Sequence, residues 1–113
     1  MAYEPKWRNE LTDQLCLAFL ALRTPEECCR LLEDICTVSE IQALAQRLEA
    51  ARMLRAGYTY DVIAERTGMS TATISRVKKF LYYGADGYKL VLDRLEAEGK
   101  LPPLPPPEHE RKS

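Results

Sequence analysis

A chain of 113 residues, 46% hydrophobic and 29% charged, is long enough for one domain that buries roughly two-thirds of its unfolded surface. One histidine and five glycines leave no Ser/His/Asp or Cys/His set, phosphate-binding glycine loop or paired-carboxylate cleft to assemble, so no enzyme is expected. A net charge of −1 counts against nucleic-acid binding, unless the charge is unevenly distributed.

The opening, MAYEPKWRNE, is polar and followed by acids, which does not fit a secretory signal, and a cytoplasmic chain is expected. The first helix is predicted from about Asn9 to Leu22. Its second half, LCLAFLAL, is apolar all round, which the surface of a monomer does not tolerate. The run from Leu15 to Leu22 is far short of the roughly 20 residues of a membrane span, so no membrane partner is expected. Thr24 and Pro25 then supply an N-cap and a proline at the first helical position, opening a second helix to about Cys36. Within it Cys28, Leu31, Leu32 and Ile35 recur at i, i+3, i+4 and i+7, the stripe of a buried face. The four cysteines include no CxxC pair and the single histidine, His109, stands in the tail. No metal site is therefore expected. Buried, reduced thiols are the expected state, with a redox sensor as the alternative.

Thr37-Val38-Ser39-Glu40 has capping-box spacing. It begins a longer helix through Ile41, Leu44, Leu48 and Ala51 that stops before Gly57. Residues 60–79, YDVIAERTGMSTATISRVKK, carry the spacing of a helix-turn-helix. Gly68 supplies the sharp turn, and Ala64 the small residue where the helices cross. Ile63, Met69, Ile74 and Val77 are apolar where the two helices bury against each other. Ser70 is placed to accept from the free N–H groups that open the second helix near Thr71. On that helix Ile74, Val77 and Leu81 face inward, whereas Thr71, Ser75, Lys78 and Tyr82 trace the opposite face, with Arg76 and Lys79 beside it. The bland alternative is an α-hairpin in which Gly68 and Ser70 are only caps.

Charge follows the same segment. Residues 1–46 hold four basic and eight acidic side chains, residues 47–79 seven basic and three acidic. A dimer doubles that local field. Tyr88, Val91, Leu92 and Leu95 form one more amphipathic stripe, closed by Gly99. The chain is thus read as one helical domain over 1–99. Residues 100–113 are read as a proline-rich, semi-extended, flexible tail. Its PxxP pattern either docks on a partner or remains a solvated extension.

The run from Thr37 to about Leu81 resembles the core of the tryptophan repressor, and the whole chain resembles the YerC/YecD branch of tryptophan-repressor-like proteins. The residues that carry the resemblance are Thr37-x-x-Glu40, Ala43-Leu44-x-x-Arg47, Leu54-Arg55-x-Gly57 and Ala72-Thr73-Ile74-x-Arg76. It covers about Leu11 to Leu95. The resemblance implies an all-α, six-helix chain in an intertwined homodimer, with the N-terminal helices of two copies interlocked. The two reading heads then lie about 34 Å apart over a near-palindromic operator in double-stranded DNA. It also accounts for the over-apolar first helix.

By the same resemblance, Thr37, Arg47, Thr73 and Arg76 match positions around the repressor's bound amino acid. Val77 stands where the repressor has glycine, and Phe80 where it has a serine that contacts the ligand. This former corepressor pocket is expected not to bind tryptophan: Val77 narrows it and the Phe80 ring fills it, holding the heads ready without a ligand. Arg47 then turns to a salt bridge or the backbone, and Arg76 to phosphate or a base edge. No cofactor is expected, and no effector is identifiable.

The expected DNA-binding set is Tyr60, Asp61, Ser70, Thr71, Ala72, Thr73, Ser75, Arg76, Lys78 and Lys79. Thr71, Ala72 and Ser75 are placed toward base edges and Arg76 and Lys79 at the groove rim. Asp61 replaces a basic residue of the repressor, and its carboxylate repels phosphate unless it accepts from cytosine. The function expected is a sequence-specific, dimeric transcriptional regulator, a repressor, that reads the major groove. Two alternatives stand beside it. One is a protein-interaction adaptor that kept the fold. The other is the DNA-binding subunit of a mobile-element recombinase, for which Tyr88 to Leu95 is too short to supply a zipper.

Overall fold

The computed structural model describes residues 3–105, and these form six helices with no strand among the described residues. They are α1 (Glu10–Leu20), α2 (Pro25–Ile35), α3 (Val38–Arg55), α4 (Tyr60–Thr67), α5 (Thr71–Tyr83) and α6 (Gly87–Ala97). The chain divides into two compact units between Ile41 and Gln42, so the boundary falls inside α3. No helix is long and apolar enough to cross a membrane among the described residues.

In the first unit, side chains satisfy the helix starts. Asn9 accepts from the Thr12 N–H at 2.9 Å and its own N–H donates to the Thr12 hydroxyl at 2.8 Å, a reciprocal cap on α1. Thr24 accepts from the Glu27 N–H at 3.1 Å, with Pro25 opening α2. Thr37 and Glu40 close the expected capping box on α3: the Thr37 N–H donates to the Glu40 carboxylate at 2.8 Å and the Glu40 N–H to the Thr37 hydroxyl at 3.1 Å. The hydrogen bond from the Thr37 N–H first, and the Thr37 hydroxyl after it, hold the Glu40 carboxyl below its ordinary pKa.

Neither α1 nor α2 buries a residue in the single chain. Leu11, Leu17 and Leu20 are 75%, 65% and 81% exposed. The expectation of buried thiols is corrected with them: Cys16, Cys28 and Cys29 are exposed and Cys36 is partly covered. The stripe is amphipathic as read, but among the described residues of one copy only Leu31 and Leu32 are partly covered, and Cys28 and Ile35 stay exposed.

The second unit holds the core. Ala50, Ala51, Met53, Ile63, Ile74 and Leu92 are fully excluded from solvent, joined by Leu54, Tyr58, Met69, Val77 and Leu81. The C-terminal half of α3 is thus the central post, and α4–α5 and α5–α6 pack as successive pairs. Two ion-pair networks brace that post. Glu49 accepts from Arg52 at 3.1 Å and from Arg66 of α4 at 2.9 Å. Arg55 reaches Asp93 at 2.7 Å and Glu96 at 3.0 Å on α6.

Beyond α6 the chain turns back. Gly99 takes φ +64°, the left-handed conformation that an L side chain resists. The Gly99 N–H donates to Glu96 and the Lys100 N–H to Leu95, the paired bonds of a Schellman close. Leu101 and Leu104 then pack on the core. The arm expected to be free from residue 100 is therefore anchored over residues 101–105, and the rest of that expectation lies outside the described residues.

Candidate nucleic-acid interface

The helix-turn-helix is assembled by α4, a three-residue turn and α5. Thr59 caps α4 by accepting from the Val62 N–H at 3.3 Å. Gly68 ends α4 at φ +77°, and its N–H donates to the Ala64 carbonyl at 2.8 Å. The turn needs glycine for its φ, since a Cβ there would meet open space. Ser70 accepts from the Thr73 N–H at 3.1 Å, and its hydroxyl also lies 2.9 Å from that of Thr73. Both side chains are therefore committed to the start of α5. Ile63, Met69, Ile74, Val77 and Leu81 are buried, as their spacing predicts.

The opposite face of α5 is open. Thr71, Ala72, Ser75, Arg76, Lys78 and Lys79 are exposed and Thr73 partly so; on α4, Asp61 is exposed and Tyr60 half-buried. The Lys78 ammonium lies 5.7 Å from the centroid of the Tyr60 ring, a cation–π contact that ties the start of α4 to the middle of α5. Asp61 sits in the first turn of α4, where the positive end of the helix dipole favours a carboxylate. That gives it a structural role without any base contact.

Of the seven basic side chains in residues 47–79, Arg52, Arg55 and Arg66 are held in ion pairs. Arg47, Arg76, Lys78 and Lys79 form no ion pair among the described residues. Of the two roles expected for Arg47, a salt bridge or the backbone, the salt bridge is absent among the described residues; Glu49 of the same helix pairs with Arg52 and Arg66. Within residues 47–79 the cations outside ion pairs are thus Arg47 and three on α5; elsewhere among the described residues Lys6, Arg23 and Arg94 also form none.

Arg47, Thr73, Arg76, Val77 and Phe80, five of the six expected pocket residues, line one cavity of about 300 Å3. Thr37 belongs to the first unit, where it caps α3. Phe80 does not fill the space: its side chain stands at the rim, 53% exposed, and the cavity stays open. Tyr88 of α6 completes the lining. Burial raises the pKa of its phenol, partly offset by the nearby charge of Arg47. The sequence reading placed Tyr88 on an apolar stripe and missed it here. Its hydroxyl, alone among the four residues of that stripe in being polar, was the available signal. No carboxylate among the described residues lines this cavity.

A profile of the Trp repressor protein family matches residues 10–96. The uncharacterized protein YerC of Bacillus subtilis is 56% identical over 91 residues, 80% of this chain and 88% of that protein. The crystal structure of a candidate Trp repressor from Staphylococcus aureus is similar with a TM-score of 0.76 at 49% identity, covering 79% of this chain and 89% of that one. A TrpR-like protein from Eubacterium eligens gives a TM-score of 0.77 at 48% identity, over 85% of this chain and 96% of the other.

Proposed function

The chain belongs to the Trp repressor family, whose members are regulatory DNA-binding proteins and not enzymes, and from that premise we propose that it is a dimeric transcriptional repressor that reads the major groove with α5. The observation that carries this is the cluster of three cations, Arg76, Lys78 and Lys79, exposed on α5 and engaged in no ion pair among the described residues. That face offers short side chains, Thr71, Ala72 and Ser75, toward base edges, flanked by Arg76 and Lys79 for phosphate. Ser70 and Thr73 serve mainly to start the helix. The alternative of a bare α-hairpin gives no reason for the ion pairs to spare α5.

The proposed dimer buries α1 and α2 against a second copy in one domain over 1–99, which gives the exposed leucines of α1 a partner. It spaces two α5 helices about one DNA turn apart on a near-palindromic site. Binding is proposed to be independent of tryptophan. Among the described residues the cavity presents two guanidinium groups and no carboxylate, so there the ammonium of a zwitterionic amino acid would meet like charge and hydroxyls. Val77 narrows the wall, and Phe80 offers no polar partner.

The test is selection of genomic DNA fragments by the purified protein, with and without tryptophan, at near-physiological salt. Enrichment of a short inverted repeat, unchanged by tryptophan and lost in Thr71→Asp, is the expected result. Absence of any enriched sequence under either condition contradicts the reading.

A further inference from the structure

We propose that residues 101–105, Leu-Pro-Pro-Leu-Pro, are an intramolecular strap that positions α4, and through it the reading helix. This rests on the DNA-binding reading for its consequence, not for its geometry. The segment is built for docking. Prolines 102, 103 and 105 fix their own φ and press the preceding residues toward extended backbone, so a polyproline helix forms at little entropic cost. With three residues per turn, Leu101 and Leu104 fall on one side. Both are partly buried on the core, whereas Pro102, Pro103 and Pro105 remain exposed.

The strap touches the elements that orient α4. Leu101 to Leu104 line a groove with Arg52, Arg55 and Ala56 at the end of α3. Leu104 and Pro105 then share a small cavity with Met53 of α3, Tyr58 of the α3–α4 corner, and Val62 and Arg66 of α4. The Tyr58 hydroxyl donates to the Pro105 carbonyl. The Schellman close at Gly99 aims the chain at this groove. The leucine side of the segment is thereby occupied within the chain, while its prolines stay exposed.

The experiment compares the full chain with Leu101→Ser/Leu104→Ser, with Tyr58→Phe, which deletes one hydroxyl, and with Leu104→Met, which keeps the contact. Amide exchange within Tyr60–Thr67 is read against exchange in α6, and DNA affinity and its salt slope are measured alongside. The double variant is expected to speed α4 exchange about tenfold or more, as for an element opened locally, with α6 unchanged. Tyr58→Phe should raise it by roughly two- to tenfold, the worth of one hydrogen bond, and Leu104→Met should match the unmodified chain. DNA affinity should fall several-fold in the double variant with the salt slope retained. Faster α4 exchange with no DNA binding by any form would uphold the strap and remove the DNA reading. Unchanged α4 exchange in the double variant, or in Tyr58→Phe should the double variant fail to fold, would overturn the strap.

Discussion

Arg76 belongs to two surfaces at once, lining the cavity beside Arg47 and standing on the exposed side of α5 without an acidic partner among the described residues. A guanidinium so placed reaches phosphate or a base edge without breaking any intramolecular bond. Arg76→Ala is therefore expected to weaken DNA binding by about 1–3 kcal/mol and leave thermal stability nearly unchanged, read by fluorescence anisotropy and a melting curve. The opposite pattern is expected at Gly84, which ends α5. A Cβ there would lie 2.4 Å from the Phe80 carbonyl oxygen, a backbone atom that cannot swing aside. Gly84→Ala should destabilise by about 1–3 kcal/mol, as overpacking does, seen as a lower denaturation midpoint.

Among the elements, α3 carries the second unit by reaching both of its neighbours with charge. Glu49 serves Arg52, a buried cation at 8% exposure, as well as Arg66. Glu49→Gln is expected to destabilise by about 1–3 kcal/mol because it strands Arg52. Arg66→Ala, at the exposed end of the same network, should cost less than about 1 kcal/mol; urea denaturation of both variants separates the two. Asp93 links α6 to the post, and hydrogen bonds first from Lys89 and then from Arg55 hold its carboxyl below the ordinary carboxylate range. A depressed folded pKa means stability that is present above the unfolded value, about 3.9, and lost as pH falls through the folded one. Asp93→Asn should therefore flatten the acid limb of the stability profile below about pH 4. An unchanged limb would place the acid sensitivity on other carboxylates, Glu40 among them.

At the scale of the whole molecule, what was legible in the sequence was local. Thr24 before Pro25, the Thr37–Glu40 box, Gly68 and Ser70 each act through neighbours within four residues, so spacing alone located them. The inward set of the helix-turn-helix was equally readable, since one helical period fixes it. What escaped depends on residues far apart in the chain. Arg55 meets Asp93 and Glu96 across separations of 38 and 41 residues, and Tyr58 meets Pro105 across 47. Tyr88 joins the cavity of Arg47 and Arg76 from another helix. The PxxP tract read as a free arm because its motif predicts conformation and not which groove receives it. The apolar stripes of α1 and α2 are stripes as read, yet among the described residues one copy of the chain fully buries no residue of either helix. Sedimentation at micromolar concentration is expected to give a dimer, and Leu17→Glu in α1 to shift it toward monomer.

Contact between the unpaired cations of α5 and DNA is measured by titrating a mixed-sequence duplex at graded salt with the unmodified protein, Lys79→Ala and Lys89→Ala. Lys89 is a cation already engaged by Asp93 at 2.9 Å. Each phosphate contact steepens the fall of log affinity with log salt by about 0.9, so Lys79→Ala should reduce the slope by about 1 to 2 per dimer. Lys89→Ala should leave it unchanged. Equal slopes for all three proteins, or a loss confined to Lys89→Ala, would contradict the assignment of α5 as the DNA-reading helix.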